Sequence, residues 1–235
     1  MDMSGQDVIL SAADGGTFGA YLAAPESGVG PGMVVLQEIF GVNKVMRDIA
    51  DGLASNGYFS IVPDLFWRQE PGIQLTDQTE ADWGRAFELY QGFDENLGIE
   101  DAKAALAHVR SVAGCTGKVG SLGYCLGGKL AYLMATRSDT RCAVGYYGVG
   151  IDASLGEAVN IRNPLLLHIA EKDGFVPPEA QAKVKERLGD NSLVTIHSYP
   201  GVDHAFARVG GEHYDQAAAG LANRRSAEFL ASRLS

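Results

Sequence analysis

Cysteine is scarce. The 235-residue chain has three, Cys115, Cys125 and Cys142. Three is odd, no C-x-x-C occurs, and the spacing fits neither a zinc ribbon nor a disulfide framework. Each thiol reads as a buried small hydrophobe unless its neighbours give it a task. Basic residues are few: Lys plus Arg is 19 against 29 Asp plus Glu, a net charge of −10. Nucleic acid and anionic membranes both reward a basic face, so neither is expected as a partner. One local arginine pocket for a small anion stays open. No apolar run approaches the roughly 18 residues of a membrane span. The first ten residues, MDMSGQDVIL, are acidic and no basic residue precedes Lys44, so no signal peptide is read there. No pair of histidines has metal-ligand spacing. The expectation is a soluble, cytoplasmic protein without a metal site.

What is present is a globular composition. Apolar residues make up 46% and charged residues 20%, close to the average for folded domains. The 30 glycines follow no period and should mark tight turns. No repeat, linker or biased segment appears, and one domain is expected over residues 1–235. Segments 7–11 and 17–23 flank Ala13-Asp14-Gly15-Gly16 and read as a hairpin. Met33-Val34-Val35-Leu36 suits a buried central strand. A helix over 43–56 starts at the Asn43 cap and ends at Gly57. Strands are expected over 58–62, 118–121, 142–147, 164–170 and 192–199. Helices are expected over 77–92, 99–112, 126–136, 178–188 and 213–234. On the 99–112 helix, Glu100, Asp101, Lys103 and Arg110 should face out. Alternating strands and helices mean an α/β fold, a mostly parallel sheet with helices on both faces. Ligands in such folds bind beyond the carboxyl ends of the strands.

Residues there carry the chemistry. Gly123-Tyr124-Cys125-Leu126-Gly127 lies between a predicted strand and a predicted helix. It is the G-x-S-x-G nucleophile-elbow pattern with Cys in the Ser slot. A nucleophile raised on a sharp turn needs neighbours without side chains, and the helix start behind it favours a thiolate. Taken alone, the segment equally suits an inert buried Cys. The following order decides for chemistry: Asp173 comes after the 164–170 strand and His204 after the 192–199 strand. Nucleophile, acid, base is the chain order of α/β-hydrolases. Glu171, Lys172 and Asp203 read as solvated loop charges, and His168 as a hydrogen-bonded core histidine. The loop after Leu36 supplies one oxyanion-hole N–H in this fold and the residue after the nucleophile the other, here Ile39 and Leu126. Glu38 is either a loop charge or a carboxylate near the thiol, which disfavours its ionisation.

The chain resembles the dienelactone hydrolase family over about residues 31–234. The resemblance rests on Gln-Glu-Ile-Phe-Gly at 37–41, Gly-Tyr-Cys-Leu-Gly-Gly at 123–128, Gly-Tyr-Tyr-Gly at 145–148, Lys-Asp-Gly-Phe-Val-Pro at 172–177 and Gly-Val-Asp-His-Ala-Phe-Ala-Arg at 201–208. It implies a single-domain, monomeric α/β-hydrolase of bacterial aromatic degradation. Such an enzyme opens carboxylated enol-lactones to maleylacetate without a cofactor. It implies further that Cys125 rests as a thiol held by Glu38 until substrate displaces that carboxylate. Phe40, Tyr147 and Arg208 fall among the substrate-binding positions.

One region departs from the family. Members commonly grip the substrate carboxylate with a second arginine, followed four residues later by a tyrosine. Those places hold Trp83 and Phe87 here. Arg85 is two residues from Trp83, about 200° around a helix, and faces elsewhere. Three other readings are weighed: an esterase or lactonase of the same fold for less charged substrates, a non-catalytic small-molecule binder on a hydrolase scaffold, and a thiol redox protein. The last lacks a resolving-cysteine spacing. The intact Cys, Asp and His argue against the binder.

Overall fold

The computed structural model describes residues 5–235. The chain forms two compact units, one ending at Gly120 and the other spanning Ser121–Ser235. The first unit opens with the hairpin β1 (Gln6–Ser11) and β2 (Thr17–Ala23), antiparallel in the register Ser11 opposite Thr17 to Gln6 opposite Leu22. β3 (Gly30–Leu36) follows, then α1 (Lys44–Ser55) and β4 (Phe59–Pro63). β4 pairs antiparallel with β2 and parallel with β3. Met33, Val34, Val35 and Leu36 are fully buried, as a central apolar run must be. The Asn43 side chain accepts from Met46 N–H and starts α1, while Gly57 at φ 93° ends it. α2 (Glu80–Gln91) and α3 (Glu95–Ser111) complete the unit; α1 packs on β4 and β2, and α3 on β3 and β4.

Two readings of this unit are corrected. α3 starts four residues before Ile99, because the Asp94 side chain accepts from the N–H groups of Asn96 and Leu97 and caps the helix there. Asp101 does not face out. It is fully buried, ion-paired to the Arg68 guanidinium and accepting from the Trp67 indole N–H at 2.9 Å. Arg68 is held in turn by Asp14 at 2.9 Å. A charge on the nominally polar face of a helix was recruited by a cation from a distant loop.

β5 (Cys115–Tyr124) carries the chain into the second unit. There it is followed by α4 (Leu126–Arg137), β6 (Ala143–Tyr146), a 3₁₀ segment over Ile151–Asn160 that periodicity did not suggest, β7 (Leu165–Ala170), α5 (Pro178–Leu188), β8 (Val194–Tyr199) and α6 (Gln216–Leu234). β5 to β8 pair in chain order, all parallel. α4 packs on β6 and the 3₁₀ segment, and α6 on β7. α4 is buried nearly all round, with only Lys129 reaching the surface before Arg137. A helix apolar on every side belongs to the interior, so its first turn is a rigid support for whatever precedes it. All three thiols are free; Cys142 is buried as expected, whereas Cys115 is partly exposed. Among the described residues no helix is long and apolar enough to cross a membrane.

Candidate active site

β5 ends at Tyr124 and α4 begins at Leu126, so Cys125 alone makes the turn. Its φ of 56° and ψ of −115° are strained for a residue with a side chain, a cost of order 1–3 kcal/mol. The surrounding backbone imposes it. Cys125 N–H donates to Tyr146 O at 3.1 Å, and Cys125 O accepts from Gly128 N–H at 3.0 Å. A Cβ on Gly123 would lie 1.9 Å from Gly127 O, and one on Gly128 2.4 Å from Tyr146 O. The glycines are therefore a steric condition for the turn. Leu126 is the first residue of α4, so its N–H has no acceptor within the helix, and the positive end of the helix dipole lies beside the sulfur.

Asp173 sits on the loop after β7 and His204 on the loop after β8. Both are buried, at 5% and 4% exposure. His204 Nδ1–H donates to Asp173 Oδ2 at 2.9 Å and Oδ1 at 3.0 Å. Oδ1 also accepts from the N–H groups of Phe175 at 2.8 Å and Val176 at 3.1 Å. Those two bonds fix the carboxylate, and the carboxylate fixes the ring. Burial by itself pushes the imidazole toward its neutral form. The charge of Cys125 and the hydrogen bond to Asp173 outweigh it and raise the His204 pKa to about 10. A ring that holds its proton this tightly is suited to face a negatively charged sulfur. Nε2 is buried and has no hydrogen-bond partner among the described residues.

Two rings bracket the imidazole. Tyr147 meets it edge-on at 5.0 Å and Phe175 at 4.9 Å. Tyr147 is buried with a strained φ of 38°, while Phe175 is 47% exposed. Arg208 lies one turn beyond His204, is 7% exposed, and its N–H donates to Ala205 O at 2.9 Å. The structure thus brings Cys125, Asp173, His204 and Tyr147 together within one unit.

The remaining candidates lie in the other unit. Glu38, Ile39 and Phe40 follow the end of β3, all buried. Phe40 meets Trp83 edge-on at 5.0 Å, and Trp83 stacks on Phe87 at 5.5 Å. The Trp83 indole N–H donates to Asp77 O at 3.0 Å and fixes the ring. Trp83 and Phe87 share a face, as their spacing requires. Arg85 is committed elsewhere, to Glu70 at 2.6 Å and Glu88 at 2.7 Å. Among the described residues no group of three or more His, Cys, Asp or Glu side chains is arranged to hold a metal ion.

The model of the dienelactone hydrolase family matches residues 18–234. The chain belongs to that family. It is a hydrolase of the lactone- and ester-cleaving kind, with the α/β-hydrolase fold. A protein of Azospirillum brasilense provisionally named carboxymethylenebutenolidase is 50% identical over 230 residues, 97% of this chain and 99% of that one. The carboxymethylenebutenolidase of Pseudomonas putida is 40% identical over 226 residues, 96% of each chain. A crystal structure provisionally assigned as a dienelactone hydrolase of Klebsiella pneumoniae aligns with a TM-score of 0.84 at 25% identity, covering 97% and 98% of the two chains.

In this dienelactone hydrolase fold two residues near Asp173 and His204 were not legible in the sequence. Asp203 is no solvated loop charge. Its Oδ1 accepts from Gly174 N–H at 3.0 Å and from His204 N–H at 2.6 Å, and so staples the loop of the acid to the loop of the base. An Asp directly before His204, in a glycine turn, was the available signal. Phe175 packs on the imidazole although it reads as one apolar residue of a loop; nothing in the pattern distinguishes it.

Proposed function

We propose that this hydrolase is cysteine-dependent and opens small carboxylated enol-lactones, dienelactone to maleylacetate, in the cytoplasmic degradation of aromatic compounds. The observation that carries this reading is the doubly hydrogen-bonded Asp173–His204 pair beside a cysteine on a strained elbow. The names of the Azospirillum and Pseudomonas relatives support the substrate.

In the reaction proposed, the Cys125 thiolate attacks the lactone carbonyl. The oxyanion is held by the N–H groups of Leu126 and Ile39. The imidazolium of His204 gives its proton to the enolate oxygen as the ring C–O bond breaks, leaving a thioester. Neutral His204 then takes a proton from water, the hydroxide adds to the thioester, and the acid is released with the thiolate restored. Asp173 keeps the imidazole oriented through both steps. Arg208 pairs with the substrate carboxylate, and Phe40 and Tyr147 shape the rest of the pocket. No cofactor is needed, and the enzyme acts as a monomer in one domain.

A second reading is favoured by Trp83, Phe87 and Phe40: three rings in contact suit less charged esters or lactones. Turnover of dienelactone, followed by its ultraviolet absorbance, against a chromogenic acetate ester separates the two. Cys125→Ala should reduce either activity to a few percent or less while circular dichroism stays unchanged, because removing one member of a triad costs about as much as removing all. Activity retained beyond that level sinks the cysteine mechanism. No turnover of any ester or lactone by the native chain supports the binder.

A further inference from the structure

Asp173 stands at the tip of a loop that leaves β7 at Ala170 and enters α5 at Pro178. Packing alone does not hold that loop. A small cavity of ≈ 20 Å³ lies against it, lined by Ala170, Asp173, Val176, Gln181 and Val184 among others. The packing behind the acid thus leaves a gap of about one water. Backbone bonds from Glu171 and Lys172 and the Asp203 staple tie the loop to its neighbour, and one side-chain amide joins its two ends to each other. Gln181, in the first turn of α5 and 5% exposed, donates from Nε2 to Val176 O at 2.8 Å and to Ala170 O at 3.1 Å, with Glu171 O further off at 3.5 Å. An amide nitrogen has two hydrogens, and the two shorter bonds use both. They fall on the two ends of the loop, one before Asp173 and one after it.

The helix fixes the backbone from which the amide projects, since the Gln181 backbone N–H donates to Pro177 O at 3.1 Å. The chain of contacts is short. Gln181 sets Val176; the Val176 and Phe175 N–H groups set Asp173 Oδ1; Asp173 sets the His204 ring. A lysine here would bury a cation, and a carboxylate would face three carbonyl oxygens. Only a neutral double donor of this length closes the loop without adding charge next to the catalytic acid.

We propose that Gln181 is a positioning residue for catalysis, a clamp that holds Asp173 in register with His204. The proposal rests on the hydrolase reading of the triad. Its test, however, can be read without substrate, from the pH dependence of Cys125 alkylation by iodoacetamide. The charged groups bearing on the His204 ring are Cys125 and Asp173, with Asp203 at its backbone. Gln181→Met keeps the volume and removes both donors. With Asp173 loosened, the ring should release its proton sooner. The alkaline inflection of alkylation should move down by about one pH unit, a tenfold weaker hold on the proton. With substrate, kcat should fall about tenfold, as misplacement of a catalytic group does, with KM within about twofold.

Val184→Ala lines the same cavity without polar contact. It should lower the melting temperature and leave the inflection in place. If Gln181→Met does not fold, Gln181→Asn, with the amide set back by one methylene, carries the same expectation. An unmoved inflection in a folded variant overturns the clamp whatever happens to kcat, and loss of folding in both variants overturns it by making Gln181 purely structural. If instead Cys125→Ala keeps full turnover, the nucleophile assignment fails, while the inflection still reports on the His204–Asp173 pair.

Discussion

In the proposed mechanism the chemistry turns on where one proton sits between Cys125 and His204. Asp173, anchored by two backbone N–H groups, makes two bonds to the imidazole, and with Cys125 it raises the ring's pKa to about 10 against the pull of burial. That arrangement favours the proton on nitrogen. The family resemblance implies an opposing influence, a carboxylate at Glu38 that keeps the proton on sulfur until substrate arrives. The two can be separated at one residue. Glu38→Gln keeps the size and removes the charge. If Glu38 restrains the thiol, alkylation of Cys125 at pH 7 should speed up about tenfold or more, and oxidation should follow, since the thiolate is the reactive species. An unchanged rate-against-pH profile leaves Glu38 as a buried loop residue with no part in gating.

At the scale of elements, β7, β8 and α6 are joined by a polar core. His168 of β7 bonds Tyr199 Oη of β8 at 2.7 Å through Nδ1 and Ser226 Oγ of α6 at 2.9 Å through Nε2. Tyr146 of β6 reaches the same Ser226 at 2.7 Å. Burial, then the like charges of His197 and Arg225, push the His168 pKa down to about 3. The unfolded chain takes up a proton there near pH 6.5, and the native state does not until about 3. Stability tied to this group is therefore complete above pH 6.5 and falls as the pH drops through that window, by about 1.4 kcal/mol per unit at most. His168→Gln, a neutral side chain at all these values, should melt lower at pH 7 and show a flatter melting temperature between pH 6.5 and 4. Equal slopes in both proteins remove His168 from the acid sensitivity. This histidine was legible as a core residue because it falls within a buried strand; its partners were not, because they lie 31 and 58 residues away. The same division runs through the chain. Helix α5 matches its expected span because Pro178 sets its start and its pattern is local. The 3₁₀ segment has no period to read, and Asp101 and Gln181 look like ordinary helix residues until Arg68 and the Asp173 loop are in place. The Asp173–His204 pairing was the most legible part of the candidate site, since chain order and strand ends suffice to bring the two together, whereas the Asp203 staple depends on a second loop.

Over the whole molecule the net charge of −10 works against an anionic substrate, and salt screens that repulsion only over distances beyond about 10 Å at 0.1 M. A carboxylated lactone therefore needs a local cation. By the proposed reading Arg208 supplies one. Arg85 does not supply a second, because Glu70 and Glu88 already occupy its guanidinium. Where the family resemblance implies a further arginine and a tyrosine, this chain carries the stacked pair Trp83 and Phe87. A hydrogen bond to a charged group is worth about 1.5–3 kcal/mol, and about 1.4 kcal/mol is a factor of ten. One missing grip should thus weaken recognition of the carboxylated lactone by roughly 10- to 100-fold, while uncharged esters gain from ring contact. Trp83→Arg should raise kcat/KM for dienelactone relative to an uncharged ester by up to that factor. The gain should be largest at low salt, where an added positive charge is least screened. Arg208→Ala should lower the same ratio sharply and leave the uncharged ester almost untouched. If Trp83→Arg shifts neither substrate at any ionic strength, the aromatic pair does not serve the carboxylate position, and the substrate's charge must be met by a residue other than the one at 83.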